Sequence, residues 1–284
     1  MRVLTLVDLK VDVVVCAKNQ AMCLERVLKQ IISFIPFENL IVVYGTSKDN
    51  TKEVAKKYAT KVFWDEDKGL GAARAIGVEK AESEIVAFID SDVILTKDWF
   101  QRLIKYLDDL KVAAVNGTCI FGYGCKPLES LWEYIRRTGS IYVGCNNTMF
   151  RREAVLGVGN FNKSIKEAGE DYELYYRLLK AGYKWIWVKD VTVYHPMNML
   201  EFLERVRRWT RGRARIDGIV SQVSKVSLLR LYARLFCAIP ESLWGGVKLS
   251  LLVNPLFLLY SPLMNTVRVQ EEFKMLIKYL KNRL

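Results

Sequence analysis

Ile85-Val-Ala-Phe-Ile-Asp-Ser-Asp92 is the stretch from which the rest of the chain can be read. Five apolar residues without alternation predict a strand buried on both faces, as in a parallel sheet. The strand stops at two carboxylates, Asp90 and Asp92, on either side of Ser91. Such a pair repels itself unless a cation lies between the charges. Mg2+ and Mn2+ are hard ions that take one or two carboxylates together with phosphate oxygens. A strand running out into a solvated turn has the same appearance, so the two readings stand side by side at this point.

The flanking sequence repeats the strand pattern. Val11–Val15, Leu40–Val43, Lys61–Phe63 and Val112–Val115 read as strands; Ala21–Phe34, Thr51–Tyr58, Gly69–Ala81 and Lys97–Leu110 read as helices. Strands alternating with helices give right-handed crossovers and an α/β fold, a mostly parallel Rossmann-like sheet flanked by helices. Ligands of such sheets bind at the carboxyl ends of the strands, here Cys16–Asn19, Tyr44–Ser47, Trp64–Asp67 and Asp90–Asp92. Further on, the alternation loosens. Leu128–Arg137 predicts a helix, Ile141–Val143 a strand, Gly157–Gly169 a loop, Glu170–Ala181 a helix and Trp185–Val188 a strand leading to His195. Helical signal resumes at Leu200 and enters a segment with six arginines, at 205, 207, 208, 211, 213 and 215, and no acid among them.

Composition narrows the class. The 284 residues carry 43 Lys+Arg against 31 Asp+Glu, a net charge of +12, and 51% of them are hydrophobic, which excludes a disordered chain. The six cysteines lack framework spacing and read as reduced thiols of a cytosolic protein. The single histidine, His195, excludes any site needing two imidazoles from one chain. Val3–Val7 is too short for a signal peptide, so the catalytic part is expected to face the cytoplasm. The charge permits nucleic-acid binding, but no nucleic-acid motif accompanies it, and none is expected as a partner. From Leu228 the composition shifts towards an apolar helical extension; Leu249–Met264 carries no charge but contains Pro255 and Pro262. It is short for the ~20 apolar residues of a spanning helix. A re-entrant hairpin, interfacial helices on anionic lipid, or a soluble helical subdomain remain as readings. The expected division is a catalytic domain over 1–215 and a membrane-associated extension over 216–284.

Taken together, Lys68-Gly-Leu-Gly-Ala-Ala-Arg74, Ile85–Asp92, Gly144-Cys-Asn-Asn-Thr-Met-Phe-Arg-Arg-Glu153 and Gly169-Glu-Asp-Tyr-Glu-Leu174 resemble, in order, the family 2 inverting glycosyltransferases with the type A nucleotide-sugar fold. The resemblance covers roughly residues 11–215. It implies a UDP- or GDP-sugar donor and a Mg2+ or Mn2+ ion held chiefly by Asp92, with Asp90 on the metal or the ribose and His195 as a further ligand. It implies Asp171 as general base and Glu170 as a contact to the acceptor. Ala17, Asn19, Gly71 and Arg74 fall at nucleotide-contacting positions, and Asn146 and Asn147 at positions facing acceptor hydroxyls. Arg205-Val-Arg-Arg-Trp209 resembles a Q-x-x-R-W signature with Arg in the Gln position. There Arg208 or Arg211 would clamp diphosphate and Trp209 would shape the acceptor floor. One departure is Tyr44-Gly-Thr-Ser47, where the family often reads Asp-Asp-Gly-Ser; Asp67 or Asp49 is the expected stand-in. With the apolar extension, the resemblance implies a lipid-linked or glycan acceptor. A retaining transferase on the same fold is the alternative. A sugar-nucleotide pyrophosphorylase is a more distant one, because Cys16–Asn19 lacks that group's Gly-rich, Arg-bearing loop.

Overall fold

Val13, Val14 and Val15 have no exposed surface, and neither have Ile41, Val42, Val86 and Ala87. A strand buried on both faces needs apolar residues at every position, which is why these runs do not alternate. The computed structural model describes residues 10–221 and 247–281. Its elements are β1 (Val11–Ala17), α1 (Ala21–Phe34), β2 (Asn39–Tyr44), α2 (Thr51–Tyr58), β3 (Lys61–Trp64), α3 (Leu70–Lys80) and β4 (Ile85–Ile89). There follow α4 (Trp99–Ile104), β5 (Val112–Tyr123), α5 (Lys126–Thr138), β6 (Asn147–Arg151), α6 (Arg152–Gly157), α7 (Glu170–Lys180), β7 (Lys184–Pro196), α8 (Met199–Ser221) and α9 (Phe257–Lys281).

The seven strands form one sheet in the order β3-β2-β1-β4-β6-β5-β7. β1 to β4 are parallel, with Val14 level with Ile41 on one side and Phe88 on the other. β6 reverses direction between β4 and β5, pairing Phe88 with Thr148 and Val115 with Met149. The chain leaves β1 towards β2 and β3, then returns to lay β4 on β1's other side. The crevice at the carboxyl ends of β1 and β4 is therefore a topological switch point.

The opposite edge is tied by a buried carboxylate. Asp12 accepts hydrogen bonds from the Asn39 backbone and side-chain amides and from the backbone amides of Glu82 and Ser83, at 2.6–3.1 Å, and from the Ser83 hydroxyl. Burial opposes its charge, but these donors outweigh burial and hold its pKa below the ordinary value.

Sequence and structure part in the second half. No strand forms over 141–143; the pairing with β4 is taken by Asn147–Arg151, whose Met149 and Phe150 fill the core. β5 runs on to Tyr123 and β7 to Pro196, well past their apolar starts. Polar Asn116 and Thr118 can lie inside the sheet because Trp185 Nε1 donates to Asn116 Oδ1 at 2.6 Å and Trp187 Nε1 to Thr118 Oγ1 at 2.8 Å. α4 ends early, tightening into a 3-10 turn over Lys105–Asp108. The six-residue α6 interrupts the region after β6.

Two compact units are formed, Met1–Ile120 with Arg136–Pro196, and Phe121–Ile135 with Met197–Leu284. In the second unit α8 packs along α9, where Arg211 Nη1 lies 3.4 Å from Glu271. Residues 228–246 of the apolar extension, with Cys237 and Pro240, lie outside the described residues. Among the described residues no helix is long and apolar enough to cross a membrane. The other five cysteines are free thiols.

Asp12→Asn is expected to lower stability at pH 7 by about 1.5–3 kcal/mol, the range for hydrogen bonds to a charged group. A carboxyl held below its ordinary pKa contributes stability above pH 3.8 that is lost as pH falls through its folded value. The gap between wild type and variant, read by urea denaturation, should therefore close towards pH 3.

Candidate active site

At the switch point, β1 ends at Ala17, whose carbonyl accepts the Gly45 amide at 3.0 Å. Asn19 follows in the left-handed region at φ 53°, a conformation Asn tolerates better than most residues. Its Oδ1 accepts the Lys48 amide at 2.7 Å, and its own amide donates to Ser47 Oγ at 3.0 Å. Asn19 thus ties the β1 and β2 strand ends together. Asp49 is consumed by structure: Oδ2 accepts the Ala21 amide at 2.9 Å and Oδ1 the Thr51 amide at 3.2 Å. Asp67 reaches across from the end of β3. Its Oδ1 accepts Lys18 Nζ at 2.8 Å and the Thr46 amide at 3.1 Å, and the Lys18 bond holds its pKa below the ordinary value. Of the two expected stand-ins, Asp67 is the one beside the loop where the acid is missing.

Gly69 and Gly71 pack against a loop. Gly69 sits at φ 100°, and a Cβ on it would meet Lys166 Cα at 2.7 Å; one on Gly71 would meet Asn162 O at 2.2 Å. Two of the first amides of α3 are taken, Leu70 by Lys166 O at 3.0 Å and Gly71 by Ile165 O at 2.9 Å. Gly71 therefore seats the 162–166 loop on α3. This loop leads directly into α7 and its acidic head.

Arg74, one turn into α3, is 4% exposed, and Glu170, the first residue of α7, is 2% exposed. The guanidinium donates to Glu170 Oε1 through Nη1 and to Asp90 Oδ1 through Nη2, the latter at 3.2 Å. Burial works against the Arg74 charge, but Glu170 and the other anions around it hold its pKa above the ordinary value. Asp171, half-buried beside this group, is pushed up to about 7 by burial first and by the Glu170 charge second; Arg74 and the Tyr172 amide, 2.8 Å from Oδ1, pull the other way. Burial also pushes the neighbouring Cys16 thiol to about 12 and raises Cys145, so both are neutral at physiological pH.

Asp92, on the other arm of the turn, has Oδ2 2.9 Å from His195 Nε2 at the end of β7. His195 Nδ1 lies 3.2 Å from the Pro196 carbonyl, so the two ring nitrogens face an acceptor on each side. One imidazole, one carboxylate and the diphosphate oxygens of a donor form a donor set that Mg2+ or Mn2+ accepts. Asp90 turns instead to Arg74, and among the described residues no three His, Cys, Asp or Glu side chains gather as a metal cluster.

The two asparagines, expected near acceptor hydroxyls, are engaged by protein groups. Asn147 is fully buried, with Oδ1 accepting the Gly117 amide at 2.8 Å and Trp99 Nε1 at 3.3 Å. Its Nδ2 donates to Asn146 Oδ1 at 2.8 Å. Asn146 Nδ2 donates to the Tyr142 hydroxyl at 2.9 Å, and its carbonyl accepts the Asp90 amide at 3.1 Å. Together they hold the end of β4. Arg208, Arg211 and Trp209 lie on α8 in the second unit. There Trp209 meets Phe121 edge-on at 5.3 Å, and Arg211 pairs with Glu271. Sequence reasoning missed Lys18 and Tyr142; neither stands in a spacing that announces its partner.

A nucleotide-binding sheet whose strand-end acids and helix-head acids meet through one arginine defines a glycosyltransferase of the type A fold. The chain belongs to glycosyl transferase family 2, whose model matches residues 12–155, and glycosyl transferase family group 2 matches residues 85–270. Glycosyltransferase AglE of Haloferax volcanii is 28% identical over 232 residues, 76% of this chain and 74% of that protein. The succinoglycan biosynthesis protein ExoA of Rhizobium meliloti is 27% identical over 230 residues, 72% and 68% of the two chains. Among solved structures, the mannosyltransferase PcManGT from Pyrobaculum calidifontis, in complex with GDP-Man and Mn2+, has a similar fold. Its TM-score is 0.70 at 20% identity, covering 94% of this chain and 87% of that one.

Removing one member of a buried ion pair leaves an uncompensated charge. Arg74→Met should cost about 3–5 kcal/mol in urea unfolding, and adding Glu170→Gln should recover part of it.

Proposed function

We propose that this enzyme is an inverting, cation-dependent transferase that moves a sugar from a UDP- or GDP-sugar to a lipid-linked or glycan acceptor at the cytoplasmic face of a membrane. The observation that carries this reading is the Arg74 bridge, which brings Asp90 at the strand end and Glu170 at the head of α7 into one buried site with Asp171 beside them. Mn2+ accompanies GDP-Man in PcManGT and UDP in a mycobacterial glucosyl-3-phosphoglycerate synthase of similar fold, which supports the choice of donor and cation.

In this mechanism Asp92 and His195 would hold the cation, whose chemistry there would be to offset negative charge on the departing diphosphate. Asp171 takes the proton from the acceptor hydroxyl as that oxygen attacks the anomeric carbon from the face opposite the diphosphate. The electron pair of the broken C1–O bond leaves with the nucleotide. A carboxylate with a pKa of about 7 is a stronger base than an ordinary one and is still substantially ionised at neutral pH. Glu170 Oε2 is buried with no hydrogen-bond partner among the described residues, an acceptor suited to a sugar hydroxyl that enters the site. Arg74 keeps the Glu170 charge tolerable and so fixes the first turn of α7, on which the base stands. Arg208, Arg211 and Trp209 remain proposed contacts to diphosphate and acceptor.

Asp171→Asn should lower kcat by about 10²–10⁴-fold while leaving donor affinity largely intact. Asp92→Ala should abolish cation-dependent donor binding in calorimetry. Because the base must be ionised, wild-type kcat/KM should rise with pH through about 7 and then level off. An Asp171→Asn enzyme that keeps most of its activity would point to the retaining mechanism instead.

A further inference from the structure

Leucines exposed to solvent concentrate in one stretch of the second unit, between residues 251 and 263. In the helical stretch over 247–252, Leu251 is 81% exposed and Leu252 also lies open; across the bend, Leu256, Leu258, Leu259 at 70% and Leu263 do the same. Consecutive helical residues point about 100° apart, so Leu251 with Leu252, and Leu258 with Leu259, present apolar surface on several sides rather than one stripe. A soluble chain rarely leaves a contiguous patch of this kind uncovered.

The bend is built so that its backbone is satisfied from within. The Val253 and Asn254 amides both donate to Leu249 O, at 2.8 and 3.1 Å; Asn254 Oδ1 accepts the Leu256 amide at 3.0 Å; and the Leu258 amide donates to Pro255 O at 3.2 Å. Pro255 has no amide to satisfy. Backbone groups paired in this way can enter an apolar medium without the penalty of bare donors. Charge is arranged to match. From Ser242 to Gln270 the sequence carries no Asp or Glu, and exposed Lys248 and Arg268 flank the leucines. Cations beside an acid-free apolar tip complement the phosphates of anionic lipid, whereas a helix partner would favour a single stripe.

We infer that the 247–263 corner inserts its leucines into the interfacial layer of an anionic bilayer, docking the enzyme there without crossing it. This docking deepens the lipid-acceptor reading above but does not depend on the catalytic assignments.

The test is flotation of the full-length protein with vesicles of phosphatidylcholine alone and of phosphatidylcholine with 30% phosphatidylglycerol, run beside a donor-hydrolysis assay. Wild type should float with the anionic vesicles, and Leu258→Asp/Leu259→Asp should reduce the bound fraction at least ~10-fold with donor hydrolysis unchanged. Should that variant misfold by circular dichroism, Leu251→Ser/Leu252→Ser on the other arm should give the same loss. Wild type that stays in solution, or variants that float as well as wild type, would overturn the inference. So would a dimer in sedimentation velocity that only the leucine variants dissociate, since a second copy would then cover the corner. Asp92→Ala should still float, so a failure of the catalytic reading is distinguishable from a failure of this one.

Discussion

Everything at this site depends on one buried guanidinium. Arg74 can be taken out of water only because two carboxylates, 16 and 96 residues away in sequence, come to meet it. Those carboxylates belong to the end of β4 and to the head of α7, the helix on which the proposed base stands. The same pairing bears on Asp171: burial and then the neighbouring Glu170 charge push its proton affinity up, while Arg74 limits the rise. Without the arginine, two neighbouring acids in a dry setting would compete for one proton.

The glycines before Arg74 make this meeting possible. Side chains at 69 and 71 would collide with the 162–166 loop, and the loop's carbonyls take the amides that a helix start usually leaves open. The first amides of α3 are thus taken by protein carbonyls, and the segment seats this loop and delivers the arginine.

Much of this was legible from sequence. Unbroken β-branched runs gave the central strands, because a strand covered on both faces cannot alternate. Asp90, Asp92, Glu170, Asp171 and Arg74 stood in motifs whose order identified the family. Polar residues inside the sheet were not legible: Asn116 and Thr118 look like turn residues until tryptophans nearly seventy residues on are seen to satisfy them. The protein partners of Asn146 and Asn147 were hidden for the same reason, since an amide in a small-residue turn reads alike whether its partners are sugar hydroxyls or buried groups. Asp49 and Asp67 could not be told apart by composition; only the hydrogen bonds show one locked in a helix start and the other reaching the loop that lacks an acid.

The two halves of the chemistry make opposite demands on charge. In the proposed mechanism the Asp92–His195 arm gathers positive charge to let a diphosphate leave, and the Asp171 arm keeps its proton affinity high. A cation placed beside Asp171 would stabilise its ionised form and weaken it as a base. The structure divides the acids accordingly: Asp92 is committed to His195, whereas Asp90 and Glu170 are committed to Arg74. A fixed guanidinium cannot lose its charge at any pH the enzyme meets, so Arg74's own contribution to the field at Asp171 does not titrate away, whatever donor and cation add to it.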